Sequence, residues 1–599
     1  MKVVHTHRWL ALLVAVIGLA ALAGGIRTAV ATTTASGHWV AGDLNTHTYL
    51  TDGKNTQADV LFQAFGNYGL DYIANAEPGG FSSVSPIGAS YLAAIPRWTS
   101  LLEYSYPQVM YGRDAFPSKE IIQGLDWNVP GHDTVSVGII GPEQPNAISN
   151  FEYLFDNADT DVSRVNEGTK AVTHVVYDAS GNPTTVTDVP ATPFTKQDGF
   201  QVDPVTGKLV LDAGGKPVPK DAAGKQADML SAAQWLENNY SAASYAIVDH
   251  PSRSLAWTAK DLRQLADAAP DTVVGLEGIP GRQAAVARGG YSNNFTSAGV
   301  KTSDPAAIDP TVTAKARTYG GADYMVAKVG GVWDSLLSEG RHFWVFSNSD
   351  YAKWNSSINS GPAGPTQVVV GKDWYDYYPG QYNKTWTYMN GTGYDSLLAA
   401  ISSGNSFIVD GDLINKLDFH ATTGKKSSTM GQTLVAHKGQ KLTITIRFRS
   451  PATNANGDKP IVNHIDLIRG WQRSKAAQFL PDGTTPNPTY AIDDVTASTA
   501  VTKRFTSKNW HVVKGWTTMT FTIKNPKKSM YFRLRGTNLG LNVANETSNG
   551  DPVVDTASYV TVHDPTFPND QTKTVIGNTV DIPWTDLWFY SDPIFVKVK

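Results

Sequence analysis

No cysteine occurs among the 599 residues. That excludes disulfides and thiolate metal ligands, so an exported chain of this kind is held by its packed core, or by metal bound through nitrogen and oxygen donors. Charge is sparse: Asp, Glu, Lys and Arg make up 17% of the chain and the net charge is −4. Both signs are spread along it, which leaves no basic field for nucleic acid. Apolar runs long enough to cross a bilayer are absent beyond the first residues, and no internal repeat is present.

The N-terminus carries an address. Lys2 and Arg8 precede the apolar run Trp9–Gly24, and Ala29-Val30-Ala31 fits the small-x-small cleavage rule, as does Ala21-Leu22-Ala23. Residues 1–31 are therefore predicted to be a cleaved signal peptide, with an uncleaved anchor as the alternative. The expected location is secreted or extracytoplasmic, with no membrane contact after cleavage. A chain of this length with 41% hydrophobic residues divides into two or three domains. Residues 37–412 alternate short apolar strands (Tyr72–Ala74, Val135–Ile140, Tyr245–Val248, Val273–Leu276, His342–Phe346) with helical stretches (Met229–Asn238, Ala259–Ala269, Tyr394–Ser402). That is the βα alternation of an α/β barrel or doubly wound sheet. Residues 170–226, rich in Thr, Gly, Pro and Asp, read as a β-rich insertion. Residues 413–599 switch to period-2 alternation, as in Leu442-Thr-Ile-Thr-Ile-Arg-Phe, and read as an antiparallel β-sandwich.

The most informative stretch is Gly42-Asp43-Leu44-Asn45-Thr46-His47-Thr48-Tyr49-Leu50-Thr51-Asp52-Gly53. A short strand, Trp39-Val40-Ala41, precedes it. A helix over Thr56–Tyr68 follows, with Thr56 as cap, Asp59 in the first turn and Gly69 as stop. Tyr72-Ile73-Ala74 then starts the next strand. Polar side chains at the carboxyl end of a strand in such a β-loop-α-β unit are placed for chemistry.

Asp43-x-Asn45-x-His47 followed by Thr51-Asp52-Gly53 resembles the opening motif, Asp-x-His-x-His then Ser-Asp-Gly, of the PHP (polymerase and histidinol phosphatase) family of metal-dependent phosphoesterases. Four later segments resemble that family's motifs in order. They are Glu77-Pro78, with Pro78 at a histidine position; Asp126 with His132; His250-Pro251; and Ser349-Asp350-Tyr351-Ala352, with Ala352 at a histidine position. The resemblance implies a distorted TIM-like PHP barrel ahead of the C-terminal sandwich. It also implies metal ligation by His47, Asp52, Asp126, His132, His250 and Asp350, with His132, His250 and Asp350 as the catalytic residues.

Three family ligand positions are replaced, by Asn45, Pro78 and Ala352. The family's subsites then map to Asp126, His132 and His250; to His47, Asp126 and Asp350 beside Asn45; and to Asp52 alone. One or two divalent ions (Zn, Mn or Fe) are expected rather than three. Such ions neutralise phosphoryl oxygens and turn a bound water into hydroxide near neutral pH. The implied function is hydrolysis of a small phosphorylated substrate, a phosphomonoester or phosphodiester, at a reduced metal site. The alternative is a catalytically decayed barrel that binds or supports. Each residue also has a plainer role open to it: Asp52 as a turn residue, Glu277 as a loop carboxylate or the partner of a ligand histidine. The aromatics of Trp374–Tyr382 and Trp386-Thr-Tyr388 read as loop packing or as a stacking platform.

Overall fold

The strands expected within residues 37–412 form with shifted ends: Tyr72–Ala74 extends to Pro78, whereas His342–Phe346 becomes Trp344–Ser347. In the computed structural model the described residues are 37–599, apart from 141–143, 165–171, 178–182, 189–195, 286, 353–375, 556–559, 563–572 and 576–581. The expected signal peptide, Trp374 and Tyr375 lie outside them. Residues Gly37–Lys599 form one compact unit.

Nine strands position the site: β1 (His38–Thr46), β2 (Tyr72–Pro78), β3 (Glu120–Asn128), β4 (Thr134–Ile139), β5 (Ser244–Val248), β6 (Val273–Ile279), β7 (Trp344–Ser347), β8 (Asn383–Met389) and β9 (Ser406–Asp410). Their order in the sheet is β7-β6-β5-β4-β3-β2-β1-β8-β9. Parallel pairing joins β1 to β2, β2 to β3, β5 to β6 and β6 to β7. β4 runs antiparallel to both β3 and β5, so β1, β2, β3, β5, β6 and β7 share one direction and end on the same side. β1 is buried from Val40 onward, which fits a strand covered on both faces.

The first helix forms as its cap predicts. Thr56 and Asp59 make a reciprocal capping box before Gln57–Leu61. The turns then widen over Phe62–Asn67 into i→i+5 bonding, and Gly69, at φ 67°, ends the run. The helix expected over Met229–Asn238 spans Ala222–Tyr240, because Asp221 caps it by accepting from the Gly224 N–H. Within 170–226, Val172–Tyr177 pairs with Pro183–Asp188 as a hairpin, and the bridges Phe200–Pro219 and Val202–Leu209 follow.

The two ends of the same-direction set meet at one place. Thr46 makes a single parallel bridge to Tyr351, and the His47 N–H donates to the Tyr351 carbonyl at 2.8 Å. Asp43 accepts from the Ser349 N–H at 3.0 Å, and Asn348 from the Leu44 N–H at 2.8 Å. No ladder of strand pairs joins β7 to β1; these contacts stand in for one.

The β-rich C-terminal region grows out of the same sheet. β9 pairs antiparallel with Trp588–Ser591, and Met530–Thr537, His464–Trp471 and Thr499–Thr506 continue it; Thr433–Ala436 and Ile594–Val598, paired off this path, bring the sheet to fifteen strands. A separate five-stranded sheet, which includes Lys416–Thr423, Leu442–Arg449 and Trp516–Ile523, shares a core with that extension. Phe419, Ile444 and Ile446 from one sheet pack with Leu467, Phe532 and Phe589 from the other.

Candidate functional site

Five of the six residues assigned to metal come from the carboxyl ends of β1, β3, β5 and the β7 turn, together with the β1 loop, and gather at one end of the sheet. His47 is at their centre and 1% exposed. Its Nδ1 lies 2.8 Å from Asp52 Oδ1. Its Nε2 lies 3.0 Å from Asn45 Oδ1, 3.8 Å from Asp126 Oδ2 and 3.9 Å from Asp350 Oδ1. Burial alone would lower the His47 pKa, but Asp52, then Asp350 and Asp126, outweigh it and lift it to about 10. Burial raises Asp126 to about 6 against the pull of His47.

Two arginines that the sequence reading passed over complete the cluster. Arg282 Nε approaches Asp350 Oδ2 at 2.7 Å and its Nη2 donates to Oδ1 at 3.2 Å; Nη2 is also 3.8 Å from Asp52. Arg253 Nη2 donates to Asp133 Oδ1 at 3.2 Å, and its Nη1 is 3.8 Å from Asp350. Burial would raise the Asp350 pKa, yet Arg282, His47 and Arg253 together hold it below the usual carboxylate range. His250, pushed down to about 4 by burial and then by Arg253, stays neutral at pH 7. Its Nδ1 is 3.6 Å from Asp133 and its Nε2 3.3 Å from Thr134 Oγ1. Its backbone N–H donates to Glu277, a carboxyl that burial pushes up to about 8 and that also accepts from Asn348. Glu277 thus holds the residues that flank the cluster. Glu77, at the end of β2, does the same for the β1 loop by accepting from the Thr48 N–H and from the Thr48 and Thr51 hydroxyls.

The backbone is bent at three of these residues. His250, Arg282 and Asp350 have φ of 30°, 55° and 47°, a region that costs side-chain-bearing residues about 1–3 kcal/mol each and that concentrates at functional sites. Gly281 permits the approach of the two turns: a Cβ there would overlap the Ser349 carbonyl and Asp350.

His132 does not join the cluster. Its Nδ1 lies 2.8 Å from the Ala256 carbonyl and its Nε2 3.1 Å from Gln226 Oε1, while the ring stacks on Trp257 at 4.4 Å. No carboxylate oxygen of the described residues makes an ion pair with it, so the subsite expected of Asp126, His132 and His250 is not assembled. Pro78 and Ala352 offer no donor. At the remaining corner the guanidinium of Arg282 already neutralises Asp350. Among the described residues, only Glu546, Asp555 and Asp586 form a His/Asp/Glu trio with donor atoms all within 4.8 Å of one another, and none of them belongs here. The residues present do not fit the family's ion cluster.

The aromatic segments pack internally. Tyr377 stacks on Tyr382 at 4.7 Å, both meet Trp584 edge-on, and Trp386 lies parallel to Phe407.

The charge on His47 has a consequence for stability. A histidine whose folded pKa is raised contributes stability that is complete below its unfolded value near 6.5 and is lost as pH rises through about 10. The melting temperature of the wild-type chain is therefore expected to fall between those pH values by more than that of His47→Gln. Parallel slopes for the two proteins would show that His47 is not held as a cation.

No protein-family model matches the chain, and no curated protein matches it. Among solved structures, one match is a two-domain protein from Bacteroides vulgatus ATCC 8482, described as containing a predicted PHP-like metal-dependent phosphoesterase. The two chains are 8% identical. The match covers 87% of this chain and 95% of that one, at a TM-score of 0.29. A score that low does not establish a common fold.

Proposed function

We propose that this chain is an exported PHP-like protein, a distorted and incompletely closed barrel with a C-terminal β-sandwich, that binds a small phosphorylated ligand through Arg253 and Arg282. Guanidinium groups take over the charge that ions supply in the family it resembles. One observation carries this reading. Carboxylates hold both guanidiniums from behind, through Asp350 and Asp133. Apart from the longer ion pairs of Arg282 with Asp52 and of Arg253 with Asp350, each at 3.8 Å, their remaining N–H groups make no hydrogen bond among the described residues. The arginine side chains are 20% and 27% exposed, whereas those of His47 and Asp350 are 2% and 5% exposed. A planar fork fixed from behind and open in front suits two oxygens of a phosphate.

The experiment is titration calorimetry with inorganic phosphate and phenyl phosphate, with EDTA present throughout. Binding is expected to survive the chelator and to weaken at least tenfold, about 1.4 kcal/mol, in Arg282→Ala. A second reading, phosphoester hydrolysis with a single divalent ion, is favoured by the oxygens of Asn45, Asp126 and Asp350 around His47 Nε2. Hydrolysis of a chromogenic phosphodiester that requires added Zn or Mn and stops with EDTA would establish that reading and displace the first.

A further inference from the structure

A second charged cluster lies apart from the arginine site and is built of oxygen donors alone. Glu546, Asp555 and Asp586 bring carboxylate oxygens within 4.8 Å of one another. Asp555 is anchored by the Gly320 and Gly321 N–H groups, each at 2.9 Å. Asp586 accepts from the Trp588 indole at 2.6 Å and from Arg288 Nη1 at 2.7 Å. A fourth carboxylate pairs with the same guanidinium: Asp410, at the end of β9, lies 3.5 Å from Arg288 Nη2. Asp410 is 0% exposed, and neither of its oxygens accepts a hydrogen bond among the described residues. A buried carboxylate without hydrogen bonds is costly unless another cation completes its surroundings. Here four carboxylates share one arginine.

We propose that Glu546, Asp555 and Asp586, with Asp410 beside them, hold a calcium ion. The donors are all hard oxygens with no histidine among them, which selects calcium or magnesium over zinc. Calcium tolerates irregular oxygen cages, whereas magnesium demands a near-ideal octahedron. The ion would tie the loop before Trp588–Ser591 to the Thr318–Asp323 turn and to the end of β9. It would thus fasten the last strands of the chain to the central sheet, in a protein with no disulfide to do so.

The test uses the full chain, stripped with EDTA and exchanged into chelator-free buffer. Equilibrium dialysis with calcium chloride is expected to find a single ion per chain displaced by EDTA, and the melting temperature is expected to rise with calcium concentration. Glu546→Gln should weaken calcium binding at least tenfold. It should also melt at or above the wild-type temperature without calcium, because it removes one of the crowded negative charges. With saturating calcium it should melt below wild type. Asp555→Asn gives the same reading of affinity should Glu546→Gln fail to fold. The proposal is overturned if calcium at millimolar concentration neither binds nor raises the melting temperature. It is overturned equally if the folded variants bind calcium as wild type does, which would put the ion elsewhere.

Discussion

Asp334→Ala is expected to be the most destabilising single substitution in the described part of the chain, costing about 3–5 kcal/mol. Asp334 sits in the first turn of the helix Val332–Ser338, and its carboxylate is the shared acceptor of a fully buried network. Arg533 grips it with two parallel bonds, Nε to Oδ1 at 2.8 Å and Nη2 to Oδ2 at 2.7 Å. The Tyr531 hydroxyl donates to Oδ1 at 2.9 Å and the Gly330 N–H to Oδ2 at 2.7 Å. Both side chains of the ion pair are 0% exposed. Removing the acid therefore strands a guanidinium and a backbone N–H away from water, while the Tyr531 hydroxyl keeps Thr499 Oγ1 at 3.0 Å. Against a typical total stability of about 5–15 kcal/mol, that loss is large.

The double variant Asp334→Ala with Arg533→Met separates the cost of a stranded charge from the worth of the pair. Arg533 lies over the Trp333 ring at 4.7 Å, so methionine keeps much of the packing while removing the charge. The double variant is expected to be more stable than Asp334→Ala alone, since a buried pair exchanged for apolar groups is often close to neutral. Urea unfolding of wild type, Asp334→Ala, Arg533→Met and the double variant checks this. A double variant no more stable than Asp334→Ala would mean that the stranded charge is not the source of the loss. Because the pair joins a helix of the N-terminal part to Met530–Thr537, the curves also report cohesion: a second transition in Asp334→Ala alone would show that the two parts unfold separately once it is broken.

The parts of the fold legible in the sequence are those written locally. Thr56, Asp59 and Gly69 act within one helix, and the strands ending at His47, Asp126, His250 and Asp350 carry their polar residues where apolar periodicity stops. The continuation of the sheet beyond β9 was not legible, because period-2 alternation in Met530–Thr537 or Trp588–Ser591 reports a strand and not its partner. His132 misled for a related reason. Its spacing from Asp126 fits a motif, but its ring direction is set by Ala256 and Gln226, which are remote in sequence. Arg253 and Arg282 went unread because an arginine in a loop usually belongs to solvent. A weak signal was present: each follows a strand end within a few residues, Arg253 after His250-Pro251 and Arg282 after Gly278-Ile279-Pro280-Gly281. A cation placed among strand-end carboxylates offsets the cost of burying their charge together.

The proposed exchange of metal for guanidinium gives the last expected result: Arg282→Ala combined with Asn45→His should bind zinc far more tightly than wild type does. Arg282→Ala frees Asp350 from its 2.7 Å contact, leaving it with His47 at 3.9 Å and Arg253 at 3.8 Å. Asn45→His puts an imidazole where an amide oxygen now stands 3.0 Å from His47 Nε2. Two imidazoles with Asp126 and Asp350 are a reasonable zinc set, provided that His47 gives up its proton. Restoring the other replaced positions is less promising. Ala352 is 1% exposed with its N–H donating to Asp376, so a histidine there would overpack the core, and Pro78 fixes its own backbone. Zinc affinity at pH 8 is expected to rise about 100-fold, near 2.8 kcal/mol, in the double variant and by much less in either single one. Competition against a chelating dye measures it, with circular dichroism to confirm folding. Wild type binding zinc as tightly as the double variant would mean that Arg282 does not stand in for an ion, and the site would then be a metal centre after all.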